Sequence, residues 1–136
     1  MWLTDRENAI YTYVKTKVWN KYKNTYSNMF FTQDDSPNLP ASFPCIYVHF
    51  LSPYEVGSEL ENTSVNAAIV TVEFAVTVTN AMGLNVANIV SDSCVDALKE
   101  LGFEIIMFPE FQNMGTDTKR KIFRARRTIG SGDIIF

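Results

Sequence analysis

The chain has 136 residues, of which 46% are apolar and 20% are charged, with a formal net charge of −3. This length and composition predict one folded domain spanning residues 1–136, and they exclude a second domain of ordinary size and a globally disordered chain. One histidine and two cysteines are too few for an all-Cys/His structural zinc site or a disulfide-rich scaffold. No apolar run reaches the about 18 residues of a membrane span, and the first residues lack a signal-peptide pattern. We therefore expect a cytoplasmic protein that does not contact membranes.

Charge is segregated along the sequence. Five of the 12 basic residues lie at or before Lys23, and six lie between Lys119 and Arg127. Residues 24–118 contain a single base, Lys99, and twelve acids. Segregated charge favours association between unlike surfaces, and the negative total disfavours binding to a free polyanion.

The first predicted element is a helix over Thr4–Asn24. Residues 4–7, Thr-Asp-Arg-Glu, fit a capping box, and apolar residues recur every four positions at Ile10, Val14 and Val18. Lysines fall around the other side of this helix and towards its C-terminal end. Residues 32–44 contain three prolines and no periodicity, which predicts a connecting loop.

Two strands follow. Residues 44–51 are rich in β-branched and aromatic types and end at Ser52-Pro53, so they predict a short strand. Residues 52–64 are polar and acidic and predict a mobile excursion. Every even position from Ala68 to Val78 is then apolar, and most odd positions are polar, which predicts a long strand with one buried face.

The C-terminal half returns to helical spacing and then to strands. Apolar residues between Val86 and Leu101 predict a second helix, which Gly102 ends. A strand begins at residues 103–107, and Pro109 indicates an edge, a bulge or the strand end. After a turn at residues 114–117, residues 119–129 alternate as a strand, and glycines at 130 and 132 allow a last turn before residues 134–136.

The predicted order is helix, strand, strand, helix, strand, strand. Its simplest packing is an α+β fold, an antiparallel or mixed sheet of about four strands with two helices packed on one face. The even-numbered face of the long strand supplies the core.

No group of residues predicts catalysis. His49, the one imidazole, is expected at the edge of the core and bonded to backbone, and Cys45 and Cys94 are expected to act as small apolar residues. Asp92 and Asp96 are four residues apart on a helix, which fits a solvated face better than a cation site. No phosphate-binding glycine loop is present. We expect a protein that is not an enzyme and that holds no cofactor or metal.

The basic strand is the strongest charge feature. Arg120, Arg124 and Arg126 project to one face, which two interpretations explain: contact with phosphates, or pairing with acids. Glu73, on the polar face of the long strand, is a candidate cross-strand partner for one of these arginines. Pairing within or between subunits is favoured, because no aromatic residues alternate with the arginines to stack on bases.

A resemblance extends this interpretation. Residues 95–103, Val-Asp-Ala-Leu-Lys-Glu-Leu-Gly-Phe, followed by residues 107–114, Met-Phe-Pro-Glu-Phe-Gln-Asn-Met, and by the arginine-bearing strand, resemble the small tail-terminator (tail-completion) proteins of long-tailed bacteriophages. The N-terminal helix, the strand that starts at Phe43-Pro44 and the chain length also fit this family. The resemblance implies a structural virion protein without catalytic residues. It implies a homo-oligomeric ring, usually a hexamer, that caps the tail tube, stops its polymerisation and presents a head-attachment surface.

The implied partners are the tail tube protein and the head-tail connector, or neck, protein, and DNA passes through the channel without specific binding. The implied location is the head-proximal end of the virion tail, with assembly in the host cytoplasm. A ring joins unlike surfaces of neighbouring copies, which suits segregated charge. We therefore expect Arg120, Arg124 and Arg126, or the lysines of the first helix, Lys15 and Lys17, to meet acids such as Asp34 and Asp35 of the adjacent subunit.

Acids of the excursion have three interpretations. Glu55, Glu59 and Glu61 either take part in that contact, line the channel and repel DNA, or belong to a solvated loop. Two rival functions also remain: a head-tail joining or neck protein, and a nucleic-acid-binding module that uses the basic strand at residues 119–127.

Overall fold

The computed structural model of the chain describes residues 2–33, 43–52, 54–56, 67–113 and 118–130. These residues form two helices and six strands. In chain order they are α1 (Trp2–Tyr22), β1 (Phe30–Thr32), β2 (Cys45–Phe50), β3 (Tyr54–Val56), β4 (Ala67–Thr79), α2 (Leu84–Glu100), β5 (Glu104–Asn113) and β6 (Thr118–Gly130).

The strands form one mixed sheet in the order β1-β2-β4-β6-β5. The β1–β2 pair is parallel, and the other pairs are antiparallel. β3 pairs with the start of β4, along the same β4 edge that β2 occupies further on. The α+β prediction is confirmed, with two short strands, β1 and β3, that the sequence did not indicate.

The two helices cover one face of the sheet, and the core lies between them. Every even-numbered residue of β4 from Ala68 to Val78 is buried there, as the period of two predicted. Ile10, Val14 and Val18 of α1 are also buried, which confirms the predicted apolar stripe. The centre of the core contains Phe74 of β4 and Phe123 of β6, whose stacked rings lie 5.1 Å apart between centroids.

The predicted stop of α2 at Gly102 is confirmed, whereas α1 runs from Trp2 to Tyr22 and not from Thr4 to Asn24. Since α1 already includes Trp2, Thr4 lies inside the first turn and not at the N-cap. At the end of α2, the amide of Gly102 donates to the carbonyl of Lys99 and the amide of Phe103 donates to that of Leu98. These two hydrogen bonds form a Schellman motif, which requires a left-handed backbone conformation at Gly102. Gly102 adopts it, with φ +83°.

β5 is an edge strand of the described sheet, and its pairing with β6 is irregular. The register shifts once between Ile105 and Met107 and again between Met107 and Glu110. Pro109 lies within the second shift. Proline has no amide hydrogen to donate to the ladder, so a bulge is a place where a strand accepts it. Pro109 therefore marks both an edge and a bulge, and the strand continues to Asn113.

Several predicted connections lie outside the described residues. These are the turn at residues 114–117, the C-terminal turn and residues 131–136, and most of both the proline-rich loop and the acidic excursion.

Candidate functional site

The sheet face opposite the two described helices carries the predicted arginines, and we call it the open face. Alternation along β6 places Arg120, Arg124 and Arg126 on this face, while Phe123 and Ala125 point into the core. The predicted division of β6 into a basic face and a core face is therefore confirmed. The open face of β4 is less exposed than its polar pattern suggests, because β2 and β6 flank this central strand on both sides. Ala75 and Thr77 are buried there.

Each open-face arginine contacts a side chain on the neighbouring strand. Arg124 pairs with Glu73 at 2.7 Å between Nε and Oε2, which confirms Glu73 as a cross-strand partner. The Nε of Arg120 donates to the hydroxyl of Thr77 at 3.2 Å, and Arg126 lies 3.8 Å from Glu104 of β5. About half of the Arg126 side chain stays exposed, at 51%. Pairing within the chain thus occupies these arginines in part and leaves surface for a partner.

The lysines named with these arginines lie elsewhere. Lys15 and Lys17 are exposed on α1, in the helix layer, and do not belong to the open face. Lys17 pairs with Glu100 of α2 at 2.7 Å, and the hydroxyl of Tyr13 donates to the same carboxylate at 2.8 Å. These two hydrogen bonds hold the pKa of Glu100 below its usual value, with Lys17 the larger cause. The Nζ of Lys15 lies 5.8 Å from the ring centroid of Tyr11.

The acids proposed as their partners are mostly not described. Asp34, Asp35, Glu59 and Glu61 lie outside the described residues, and so does their predicted contact with an adjacent subunit. Glu55 belongs to β3, where it pairs with Ala68 of β4. Part of the predicted excursion is therefore a strand of the main sheet.

The residues considered for catalysis have the following surroundings. His49 is exposed on the open face, opposite Glu73, with its ring stacked 6.0 Å from that of Tyr47. Its expected place at the edge of the core is therefore wrong. Cys94 lies in the core and Cys45 is buried on the open face, and burial raises the pKa of both thiols. Thiols of this kind are poor nucleophiles at neutral pH. The described ranges contain no cluster of three or more potential metal ligands.

A small cavity of about 250 Å³ lies on the open face beside the β5 bulges. The Glu73–Arg124 pair forms one wall of this cavity, and Glu110 of β5 adds a second carboxylate. Met107, Phe111 and Ile122 make the rest of the lining apolar. A second and larger cavity, of about 580 Å³, runs along α1. Its lining includes Asn8, Thr12, Tyr13, Thr16, Lys17 and Asn20.

Among the residues that the structure describes, four large apolar side chains are exposed, and the sequence pattern did not indicate any of the four as a surface residue. In the described part of the chain, every such residue lies on β1 or β5, the two end strands of the sheet. Strand alternation gives the signal at Phe30-Phe31, where one of two adjacent side chains must face away from the core. The bulges remove that signal in β5. The exposed residues and their exposed fractions are Phe30 (48%), Ile106 (42%), Phe108 (67%) and Phe111 (46%).

No protein-family model matches the sequence, and no curated protein matches it. Across the described ranges, neither helix is long and apolar enough to span a membrane.

Proposed function

We propose that this protein is a structural component of a bacteriophage virion, a tail terminator. Its copies form a closed ring, of six subunits in the family that it resembles. The ring caps the tail tube, ends tube polymerisation and presents the surface to which the head attaches. Its partners are further copies of itself, the tail tube protein and the head-tail connector, and DNA passes through the ring without specific binding.

The observation that carries this proposal is the exposure of the segment on which the resemblance depends. Phe108 and Phe111 belong to the Phe-Pro-Glu-Phe run at residues 108–111, and they are 67% and 46% exposed. Large aromatic side chains at a protein surface add nothing to the core, and they are typical anchors of protein–protein interfaces. An assembly protein needs such side chains outside its core.

The experiment is negative-stain imaging of cognate tails with and without the protein. We expect tubes of uncontrolled length without it, and capped tubes with a label at the head-proximal end when it is added. The Phe108→Ser variant should fail to cap, and Asp92→Lys on the exposed side of α2 serves as the surface control. Labelling along the tube or at the distal end would contradict the proposal.

The first alternative is a head-tail joining or neck protein, which shares the small size and α+β plan. The two functions differ in the binding partner. A tail terminator binds purified tail tubes, whereas a neck protein binds the connector on the head side. Pull-down of the purified chain with each of these two structures separates them.

The second alternative is nucleic-acid binding through the open-face arginines. Arg124 and Arg126 keep exposed surface, which favours this alternative, but their carboxylate partners neutralise much of their charge. Phosphate binding would appear as DNA affinity that falls steeply with salt concentration. We expect no measurable binding to duplex DNA at about 0.1 M salt, and an affinity that Arg124→Gln weakens would favour this alternative.

A further inference from the structure

The two ends of the sheet carry different exposed apolar surfaces. We call the side of the molecule formed by Phe30 of β1, on the open face with Cys45, and by the end of α1 in the helix layer the β1 edge, and we call Ile106, Phe108 and Phe111 the β5 edge. Because the strand order is β1-β2-β4-β6-β5, these edges lie at opposite sides of the described sheet. The β5 edge has three large apolar side chains and the β1 edge has one, so neither edge copies the other.

The charges of the described residues also differ between the two edges. On the β5 edge, the Glu104 side chain is 72% exposed although it lies 3.8 Å from Arg126, and Glu110 is exposed with no ion-pair partner among the described residues. On the β1 edge, a compact turn leads from α1 into β1, with the amide of Tyr26 bonded to the carbonyl of Tyr22. Lys21 and Lys23, at that end of α1, are exposed and have no carboxylate partner in the described ranges. β5 itself therefore carries two acids and no base, whereas the described residues 19–33 carry two lysines and no acid.

We infer that the β5 edge of one copy docks against the β1 edge of a second copy. Phe108 and Phe111 pack against Phe30, and Glu104 and Glu110 lie towards Lys21 and Lys23. This contact joins unlike patches, and repeated contacts of this kind close into a ring when the rotation between copies permits. The inference rests on the ring of the proposed function and assigns the two surfaces that join its subunits.

Side chains, and not a continuous ladder of backbone hydrogen bonds, make this contact. Pro109 lacks an amide hydrogen, and two register shifts distort β5, the second of which contains Phe108. A bulged strand with an internal proline is a poor template for strand addition, which protects an edge from open-ended aggregation. Aromatic side chains that project from the bulge remain available for a contact of fixed geometry.

The test uses two variants, each defective in one edge. Phe30→Ser retains an intact β5 edge, and Phe108→Ser retains an intact β1 edge. We expect each variant alone to weaken self-association roughly tenfold or more, as loss of an interface aromatic does. An equimolar mixture, with one variant isotopically labelled, should give pairs with one chain of each variant, because such a pair keeps one intact junction. Native mass spectrometry reads the composition of these complexes.

Three results would overturn the inference. They are normal assembly by Phe30→Ser alone, pairs of Phe30→Ser with itself that are as abundant as the mixed pairs, and a mixture that remains monomeric while the wild type assembles. Asp92→Lys, on the exposed side of α2, is the control and should assemble as the wild type does. Far-ultraviolet circular dichroism and thermal unfolding must show that both edge variants are folded.

A second measurement applies where self-association of the wild type is too weak to detect by mass spectrometry. Chains with Phe30→Cys and chains with Phe108→Cys are mixed under mild oxidation, and we expect the mixed disulfide to form faster than any product with the Asp92→Cys control. Equal rates would overturn the inference. Tail capping is scored separately: a Phe30→Ser variant that caps tails normally contradicts the docking surfaces alone, and docking without capping contradicts the proposed function alone.

Discussion

Arg124 and Glu73 are joined by the shortest ion pair of the open face, and both side chains are partly exposed, at 44% and 21%. Cross-strand pairs of this kind stabilise a sheet by about 0.2–1 kcal/mol, and salt weakens them. We predict that Arg124→Met and Glu73→Gln are each destabilising and that a double-mutant cycle gives a coupling of about 0.5 kcal/mol. Urea unfolding at low and high salt measures it, and coupling that salt leaves unchanged would contradict an ionic origin.

Glu100 connects the two helices through Lys17 and Tyr13, and its lowered pKa makes a prediction about pH. A carboxyl group whose pKa is lower in the folded state stabilises the protein above its unfolded-state pKa, and this stabilisation is lost as pH falls through the folded-state pKa. Glu100→Gln keeps an acceptor oxygen but removes the charge. We predict that it lowers the urea midpoint at about pH 7 and that the difference from wild type closes at about pH 2.5.

The control for this prediction is Asp96→Asn, which lies on the same helix and is exposed without an ion-pair partner in the described ranges. Its midpoint should follow that of the wild type at both pH values. A Glu100→Gln difference that persists in acid would show that shape or hydrogen bonding, and not charge, accounts for the effect.

At the scale of elements, the two long central strands hold the core and the edge strand β5 does not. Phe74 and Phe123 are fully buried, whereas Phe108 is largely exposed. We predict that Phe74→Ala costs about 3–5 kcal/mol, as expected for truncation of a buried aromatic residue. Phe108→Ala should change the free energy of unfolding by less than about 0.5 kcal/mol. Denaturant unfolding at a concentration where the chain is monomeric measures both, and a large cost at Phe108 would place its ring in the core.

The elements that could be predicted from sequence are those in which an apolar pattern repeats over many residues. β4 shows six apolar residues at alternate positions, and α1 repeats Ile10, Val14 and Val18, so a single dominant face identifies each element. β1 and β3 have three residues each, which is too short for any period to appear. Pro109 alone indicates an irregularity, but the continuation of β5 to Asn113 depends on pairing with β6, which is a long-range contact.

At the scale of the whole molecule, one core cluster contains residues of both helices and of strands β1, β2, β4 and β6. A single shared core predicts a single cooperative unfolding transition. We expect the calorimetric and van't Hoff enthalpies of the monomer to agree, and tryptophan fluorescence and circular dichroism to give one midpoint. Two separated transitions would contradict the single-domain prediction for residues 1–136.

The candidate surfaces could be located only with the strand order of the sheet. Sequence alone predicts Glu73 as a partner for one of Arg120, Arg124 and Arg126, because these residues lie on the polar faces of alternating strands, and the β4–β6 register is needed to identify that partner as Arg124. The sequence grouped Lys15 and Lys17 with the arginines by charge sign, although the sheet separates the α1 lysines from the open face. The exposed aromatic residues at the two sheet edges follow from strand order, and strand order is set by contacts between distant parts of the chain.

The parallel pairing of β1 with β2 covers three residue pairs, and it has a consequence for the timing of subunit recruitment. A strand held by so few backbone hydrogen bonds opens locally at a small fraction of the global unfolding free energy. The amide hydrogens of Phe30 and Thr32, which face the β2 side, should therefore exchange with deuterium well before those of β4. A newly made monomer would then have a β1 strand that opens and closes repeatedly. Docking of a second copy would suppress this local opening. Slower deuterium uptake at these two amides would then report when assembly occurs.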